Sequence, residues 1–153
     1  MKVRNLLSST LLIGTAIAIA TPSFAQDEDD SLANEKVFIG AELSNDQVTG
    51  GGLSGGSGEF TGEMTRASGQ LCYTLALAGV DAPTAAHIHA GAEGEDGEAV
   101  ITLKITGKSK KNTCIDVPAD VLQKLIENPF GYYVNVHNAA YPAGAVRGQL
   151  DYY

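Results

Sequence analysis

Basic residues are scarce in this sequence. The chain has 153 residues, with 10 Lys and Arg against 18 Asp and Glu, and its formal net charge is −8. Proteins that bind nucleic acids or anionic lipid surfaces do so through clustered Lys and Arg side chains. The charge balance therefore argues against both classes of partner.

Long apolar runs are also scarce. The apolar run at residues 11–20 is too short to span a bilayer, and it follows the positively charged Lys2 and Arg4. Small residues stand on both sides of Phe24, as they do at a signal cleavage site. We therefore predict that residues 1–25 are a signal peptide and that the chain is exported, either to the periplasm or as a secreted protein. The mature chain is expected to have no membrane span.

The segment after the predicted cleavage site contains almost no apolar residues. Residues 26–35, QDEDDSLANE, are acidic, and this composition predicts a flexible lead that stays in solvent. The remaining residues, 36–153, are long enough to form one domain with a single core. We therefore expect one folded domain in the mature chain.

Only two cysteines are present, Cys72 and Cys114. In an exported chain a cysteine pair is expected to form a disulfide, and closing a loop of this length would stabilise the fold by roughly 4 kcal/mol. The alternative is a redox or metal-ligand pair. No C-x-x-C spacing supports that alternative.

Short runs with strand character dominate the rest of the chain. They are rich in β-branched and aromatic residues, they alternate apolar with polar positions, and Gly, Asp or Asn separate them. This pattern predicts an all-β fold, an antiparallel Greek-key-like sandwich or barrel. The eight runs are KVFIGAEL, EFTGEMTR, GQLCYTLALAGV, AAHIHA, EAVITLKI, NTCIDV, FGYYVNVH and GAVRGQLDY.

One segment has helical periodicity instead. Its apolar residues are spaced three and four apart, with Pro118 before them and Pro129 after them. The spacing predicts one short helix over about residues 118–128, with its apolar stripe covering an open end of the sandwich. The stripe consists of Val121, Leu122, Leu125 and Ile126.

Glycine is concentrated in one place. Residues 50–58 include six glycines and two serines, which predicts a flexible loop and not a packed element. The same stretch contains GLSGG, which fits the G-x-S-x-G pattern of hydrolase nucleophiles. A nucleophile elbow needs a strand before it and a helix after it, and here the flanks are a loop and a strand. Ser54 is therefore not predicted to be a nucleophile, and no catalytic residue is predicted.

Three segments together resemble a known family. They are TAAHIHAGAEGEDG, CIDVPADVLQKLIENP and YYVNVHNAAYPAGAVRGQL, and they resemble the chordin-type domain, called CHRD, over about residues 36–151. We therefore predict a CHRD-like β domain over residues 36–153, similar to the exported single-domain members in bacteria. The resemblance implies an extracellular or periplasmic all-β domain. In animal chordin such domains belong to a secreted antagonist of growth factors, whereas for bacterial members the resemblance implies little about activity.

All three histidines of the chain lie in two of the predicted strands. His87 and His89 are two residues apart in AAHIHA, so they share a face, while Ile88 points to the opposite layer. His137 shares a face with Tyr133 and Asn135 in YYVNVH. If the two strands are neighbours, the three imidazoles meet. Three neutral imidazoles with an open fourth position are a recognised site for zinc, and imidazole also suits copper.

The H-x-H motif on a strand also resembles copper–zinc superoxide dismutase. That enzyme uses more histidines than the three in this chain, so a full two-metal centre of that type is excluded. The alternative hypothesis is a single copper or zinc ion held by His87, His89 and His137.

The alternative interpretation of the histidines is structural. Imidazoles in β proteins often bind backbone carbonyls and orient loops. Under this interpretation His87 and His89 brace the acidic loop AGAEGEDG, and His137 anchors the YPAG turn. Arg147 is expected to pair with a nearby acid, and Asn135 to bind backbone groups near His137. Both interpretations stay open at the level of sequence.

Two function hypotheses follow. The first is a non-enzymatic exported module, structural or binding, whose partner is an extracellular or periplasmic protein or polymer. The second is a mononuclear copper- or zinc-binding protein that uses the three histidines. Redox activity at that metal, like a minimal superoxide-dismutase-type site, is the least supported version of this second hypothesis.

Overall fold

The structure is a computed structural model that describes residues 34–105 and 113–153. The predicted signal peptide and nearly all of the predicted acidic lead lie outside the described residues, so those two expectations stay predictions. Within the described ranges, no helix is long and apolar enough to cross a membrane.

The predicted strands and helix are present. Each of the eight strand-like runs contains a strand, and the last run is divided at Leu150 into two. The strands are β1 (Val37–Ser44), β2 (Ser57–Met64), β3 (Gln70–Ala78), β4 (Pro83–Ala90), β5 (Ala99–Leu103), β6 (Thr113–Asp116), β7 (Tyr132–Asn138), β8 (Val146–Gln149) and β9 (Asp151–Tyr152). The helix α1 (Ala119–Glu127) precedes a 3₁₀ turn (Pro129–Gly131).

All strands belong to one antiparallel sheet. The order of neighbours is β5-β4-β7-β8-β1-β2-β3-β6, and β9 pairs with β1. The sheet curls into a nearly closed barrel or sandwich, which confirms the all-β prediction. Strands β4 and β7 are neighbours although β5, β6 and α1 lie between them in the chain.

The alternation of residues along the strands places the core. In β3 the alternate residues Leu71, Tyr73 and Leu75 are all buried. Burying one such side chain contributes roughly 1.5–3 kcal/mol. Helix α1 begins after Pro118 and adds three more buried side chains from its apolar stripe, which confirms the predicted helix. Those three are Leu122, Leu125 and Ile126.

The glycine-rich segment forms a loop up to Gly56, as its composition predicts, but part of this loop packs against the rest of the fold. The Leu53 backbone N–H donates to the Ala145 carbonyl at 2.8 Å, and the Gly56 N–H donates to the Leu53 carbonyl at 2.9 Å. At Gly52 an added Cβ would lie 2.4 Å from the Ala145 carbonyl oxygen. Glycine at this position therefore allows two backbone segments to approach each other closely. The last residues of the segment, Ser57 and Gly58, begin β2.

The disulfide joins two sheet neighbours. Cys72 of β3 and Cys114 of β6 form a disulfide bond, and the two residues lie directly opposite each other in the β3–β6 register. Strand β6 has four residues and ends the order of strands, so among the described residues β3 is the one strand that pairs with it. The bond therefore covalently fixes a short edge strand to the sheet.

We expect the free energy of unfolding to fall by about 2–4 kcal/mol when the disulfide is removed, because the unfolded chain regains its loop entropy. The measurement is urea unfolding of the native chain with and without reductant. In a Cys72→Ser, Cys114→Ser double variant the reductant should have no effect. Equal unfolding midpoints for the oxidised and reduced native chain would contradict the prediction.

Candidate metal centre

Strands β4 and β7 bring the three histidines together. The strands are antiparallel, with His89 opposite Tyr133, His87 opposite Asn135 and Ala85 opposite His137. His137 is therefore diagonal to His87, within reach of a long side chain. Ile88, between the two β4 histidines, is fully buried in the core. The two strands are neighbours, which is the condition for the three imidazoles to meet, and the predicted faces of β4 and β7 are confirmed.

The ring nitrogens of the histidines form a tight group. One nitrogen from each of His87, His89 and His137 lies within 4.8 Å of the others. The Nδ1 atom of His87 and the Nε2 atom of His137 are 3.3 Å apart. Two nitrogens bound to one tetrahedral zinc ion at 2.0–2.1 Å would be separated by about 3.4 Å. The His87–His137 pair of nitrogens is therefore already at the distance expected for two ligands of one ion. The longest of the three nitrogen–nitrogen distances would have to shorten by roughly 1.5 Å or less.

Backbone carbonyls orient two of the rings. His89 Nδ1 lies 2.9 Å from the Gly97 carbonyl oxygen, and His137 Nδ1 lies 3.0 Å from that of Pro142. A carbonyl oxygen accepts only, so both Nδ1 atoms carry the proton and both Nε2 atoms present a lone pair. The structural interpretation is thus confirmed for two histidines, which brace the acidic loop and the YPAG turn. The same hydrogen bonds leave each Nε2 available to a metal.

The Nε2 atom of His89 is buried and has no hydrogen-bond partner. A buried polar atom without a partner costs about 1–3 kcal/mol. His137 Nε2 faces His87 Nδ1, and because His137 Nε2 is an acceptor, His87 Nδ1 is the donor in the metal-free cluster. For its Nδ1 atom to bind a metal ion, His87 would have to carry this proton on Nε2 instead.

Burial favours the uncharged form of two of the three histidines, His87 and His137. Desolvation lowers the pKa of His87, and the neighbouring His89 lowers it further. Desolvation also lowers the pKa of His137, against an opposing effect of its hydrogen bond to the Pro142 carbonyl. Neutral imidazole is the form that binds metals, so both shifts favour a ligand role.

The cluster opens into a cavity of about 400 Å³. Within the described part of the chain, no carboxylate or thiol joins the histidine group. The other residues that line the cavity carry no charge. They are Thr84, Ala85, Ala99, Asn138, Ala139 and Pro142.

Two expectations about neighbouring polar residues are confirmed. Arg147 Nη1 lies 3.4 Å from Asp96 Oδ1, so Arg147 does pair with an acid of the loop. Asn135 Nδ2 donates to the Ala143 carbonyl at 3.0 Å, in the turn that follows His137.

Two residues beside the site were missed at the level of sequence. Gly97 accepts the hydrogen bond of His89, and Tyr133 stacks on the His89 ring at 5.0 Å between centroids. The shared face of Tyr133 and His137 was visible in the sequence. No pattern in the sequence shows which carbonyl of the loop a ring nitrogen reaches.

The lowered pKa values predict a pH dependence of stability in the metal-free protein. The unfolded chain binds protons at the ordinary histidine pKa of about 6.5, above the folded-state values, so protons favour the unfolded state as the pH falls. The free energy of unfolding should stay constant above about pH 7.5 and fall as the pH drops below about 6.5. Urea unfolding in the presence of a chelator, repeated at several pH values, measures this pH dependence. A His87→Asn, His137→Asn double variant should lose this component, and an unchanged slope in that variant would contradict the prediction.

Comparison with known proteins gives a family and no closer relative. The family model for the CHRD domain matches residues 39–150, which is well over half of the chain. No curated protein and no solved structure matches the chain. The match supports a domain whose ligand is unknown. The matched residues include β4 and β7, the two strands that carry the histidines. The chain belongs to the CHRD domain family.

Proposed function

We propose that this domain binds one copper or zinc ion through His87, His89 and His137. The observation that carries the proposal is the buried Nε2 of His89, which has no hydrogen-bond partner and belongs to a group of three ring nitrogens within 4.8 Å. A metal ion satisfies that lone pair and removes the cost of leaving it unpaired.

The donor set supports copper or zinc over other ions. Imidazole nitrogen suits zinc and copper, whereas calcium and magnesium prefer oxygen ligands. Three protein ligands would leave one position of a tetrahedral ion open, and the three histidines line one cavity. A small molecule could therefore reach the metal from solvent.

The hydrogen bonds behind the ligands also support the proposal. Metal-binding histidines commonly donate their second ring N–H to a carbonyl or carboxylate, which fixes the tautomer and the orientation of the ring. His89 and His137 both make this bond, to Gly97 and Pro142. The loop and the turn thus hold two of the three rings in a state ready for a metal.

Export of the chain belongs to the same proposal. The Cys72–Cys114 disulfide is typical of proteins in oxidising compartments, and the first 25 residues have the composition of a signal peptide. A periplasmic or secreted domain would meet copper or zinc outside the reducing cytosol.

The test is the metal content of the purified chain. After loading with Cu(II) or Zn(II) and dialysis against a weak chelator, we expect about one ion per chain. His89→Ala should lower the affinity for the metal at least tenfold. Losing only a hydrogen bond behind a ligand typically costs about 10–100-fold in metal affinity, and losing the ligand itself should cost no less. Thr102→Ala is the matched control, since Thr102 lies opposite His87 in β5 and has no ring nitrogen. A native stoichiometry near zero would remove the proposal.

A second candidate, binding of an extracellular or periplasmic protein or polymer, is supported by a group of exposed aromatic side chains. The Tyr153 N–H donates to the Phe38 carbonyl, and the Phe130 and Tyr152 rings pack edge to face at 5.6 Å. These four residues are 43–81 % exposed. Exposed apolar groups of this kind often mark interaction surfaces.

Sedimentation with insoluble cell-wall polysaccharide tests this candidate with a named probe. We expect Tyr153→Ser to reduce the bound fraction, because Tyr153 is the most exposed of the four aromatic residues. Equal sedimentation of the native chain and the variant would contradict it.

A further inference from the structure

A buried cation lies behind the histidine cluster. Arg147 of β8 has only 2 % of its side chain exposed, and its guanidinium carbon is 3.5 Å from the centre of the Tyr133 ring. Its Nη2 atom donates to the Ala92 carbonyl at 3.0 Å, and Nη1 donates to Thr49 Oγ1 at 3.2 Å. Its carboxylate partner, Asp96, is 72 % exposed and therefore solvated.

The other face of Tyr133 carries the candidate ligand His89. The two rings are 5.0 Å apart and nearly parallel, at 12°. Strand β7 lies between β4 and β8, so the imidazole and the guanidinium approach Tyr133 from opposite sides. We call Arg147, Tyr133 and His89 the stacked column.

Gly97 connects the column to the tautomer of His89. Its backbone N–H donates to the Tyr133 hydroxyl at 3.1 Å, and its carbonyl accepts from His89 Nδ1. A Cβ at this position would lie 1.5 Å from the Ala90 carbonyl oxygen, so only glycine fits. Tyr133 thus holds His89 twice, by stacking and through Gly97.

We propose that the stacked column selects the charge of the bound metal, and that Arg147 and Tyr133 are its positioning residues. This inference rests on the proposed metal site. The three ligands are neutral, the other residues lining the cavity are uncharged, and the nearest buried charge of the column is positive. A divalent ion therefore meets more repulsion than a monovalent ion. The column favours Cu(I) over Cu(II).

The expected size of the effect follows from the charge separation. Two unit charges on either side of a tyrosine ring, at an effective dielectric constant near 20, change an affinity by about tenfold. Removing the Arg147 charge should therefore lower the ratio of Cu(I) to Cu(II) affinity by about tenfold, which is a fall of about 60 mV in the reduction potential of the bound copper.

The experiment compares Cu(I) and Cu(II) affinities of the full chain by competition with chelators of known affinity. Arg147→Gln should lower the affinity ratio about tenfold, and Arg147→Lys should retain it because the charge stays.

Tyr133→Phe keeps the stack and loses the hydroxyl contact with Gly97. It should weaken both oxidation states together and leave their ratio unchanged.

A second variant covers the case in which Arg147→Gln does not fold. Asp96→Asn alters an exposed side chain and leaves the Arg147 charge uncompensated, so the ratio should move toward Cu(I). A readout without metal is the ¹⁵N NMR shift of His89, which should report Nδ1–H in the native chain and a mixed tautomer in Tyr133→Phe.

The outcomes separate the two proposals. If the native chain binds no metal, the proposed function fails and charge selection fails with it. If the native chain binds copper but neither Arg147→Gln nor Asp96→Asn changes the ratio, the metal site stands and charge selection is wrong. If Tyr133→Phe leaves both affinities and the His89 tautomer unchanged, the positioning role of Tyr133 is wrong.

Discussion

The register between β4 and β7 is the constraint on which the candidate site depends. Side chains alternate between the two faces of a sheet, so a slip by one residue would turn His87 and His89 into the core and Ile88 out to solvent. The buried Ala86 and Ile88 of β4 make that slip costly, because each would lose its burial. The core therefore fixes the histidine cluster from the opposite side of the sheet.

The structural and ligand interpretations of the histidines are not alternatives, because an imidazole has two nitrogens. In His89 and His137 one nitrogen binds a backbone carbonyl, and the other presents a lone pair. The hydrogen bonds that brace the loop and the turn also select the tautomer that a metal requires. Stability of the loop and readiness of the site thus come from the same contacts.

The acidic loop between β4 and β5 has a mixed character. Its carboxylates face solvent, as a charge run in a loop usually does, and Asp96 reaches the buried Arg147. Its backbone is held by the site through Ala92 and Gly97. A loop that is polar in sequence is therefore part of the rigid surroundings of His89, and the charge behind that ligand is positive despite the acidic composition of the chain.

The sequence by itself determined the local features: the strands, the short helix, the faces of β4 and β7, and the cysteines available for a disulfide. These follow from alternation, helical spacing and proline positions, which act between residues close in the chain. Tertiary structure alone decided that β4 lies beside β7, that Gly52 packs against Ala145, and that Arg147 stacks on Tyr133. These contacts join distant residues, and many strand orders satisfy the same local pattern. Only packing of the whole core selects one of them.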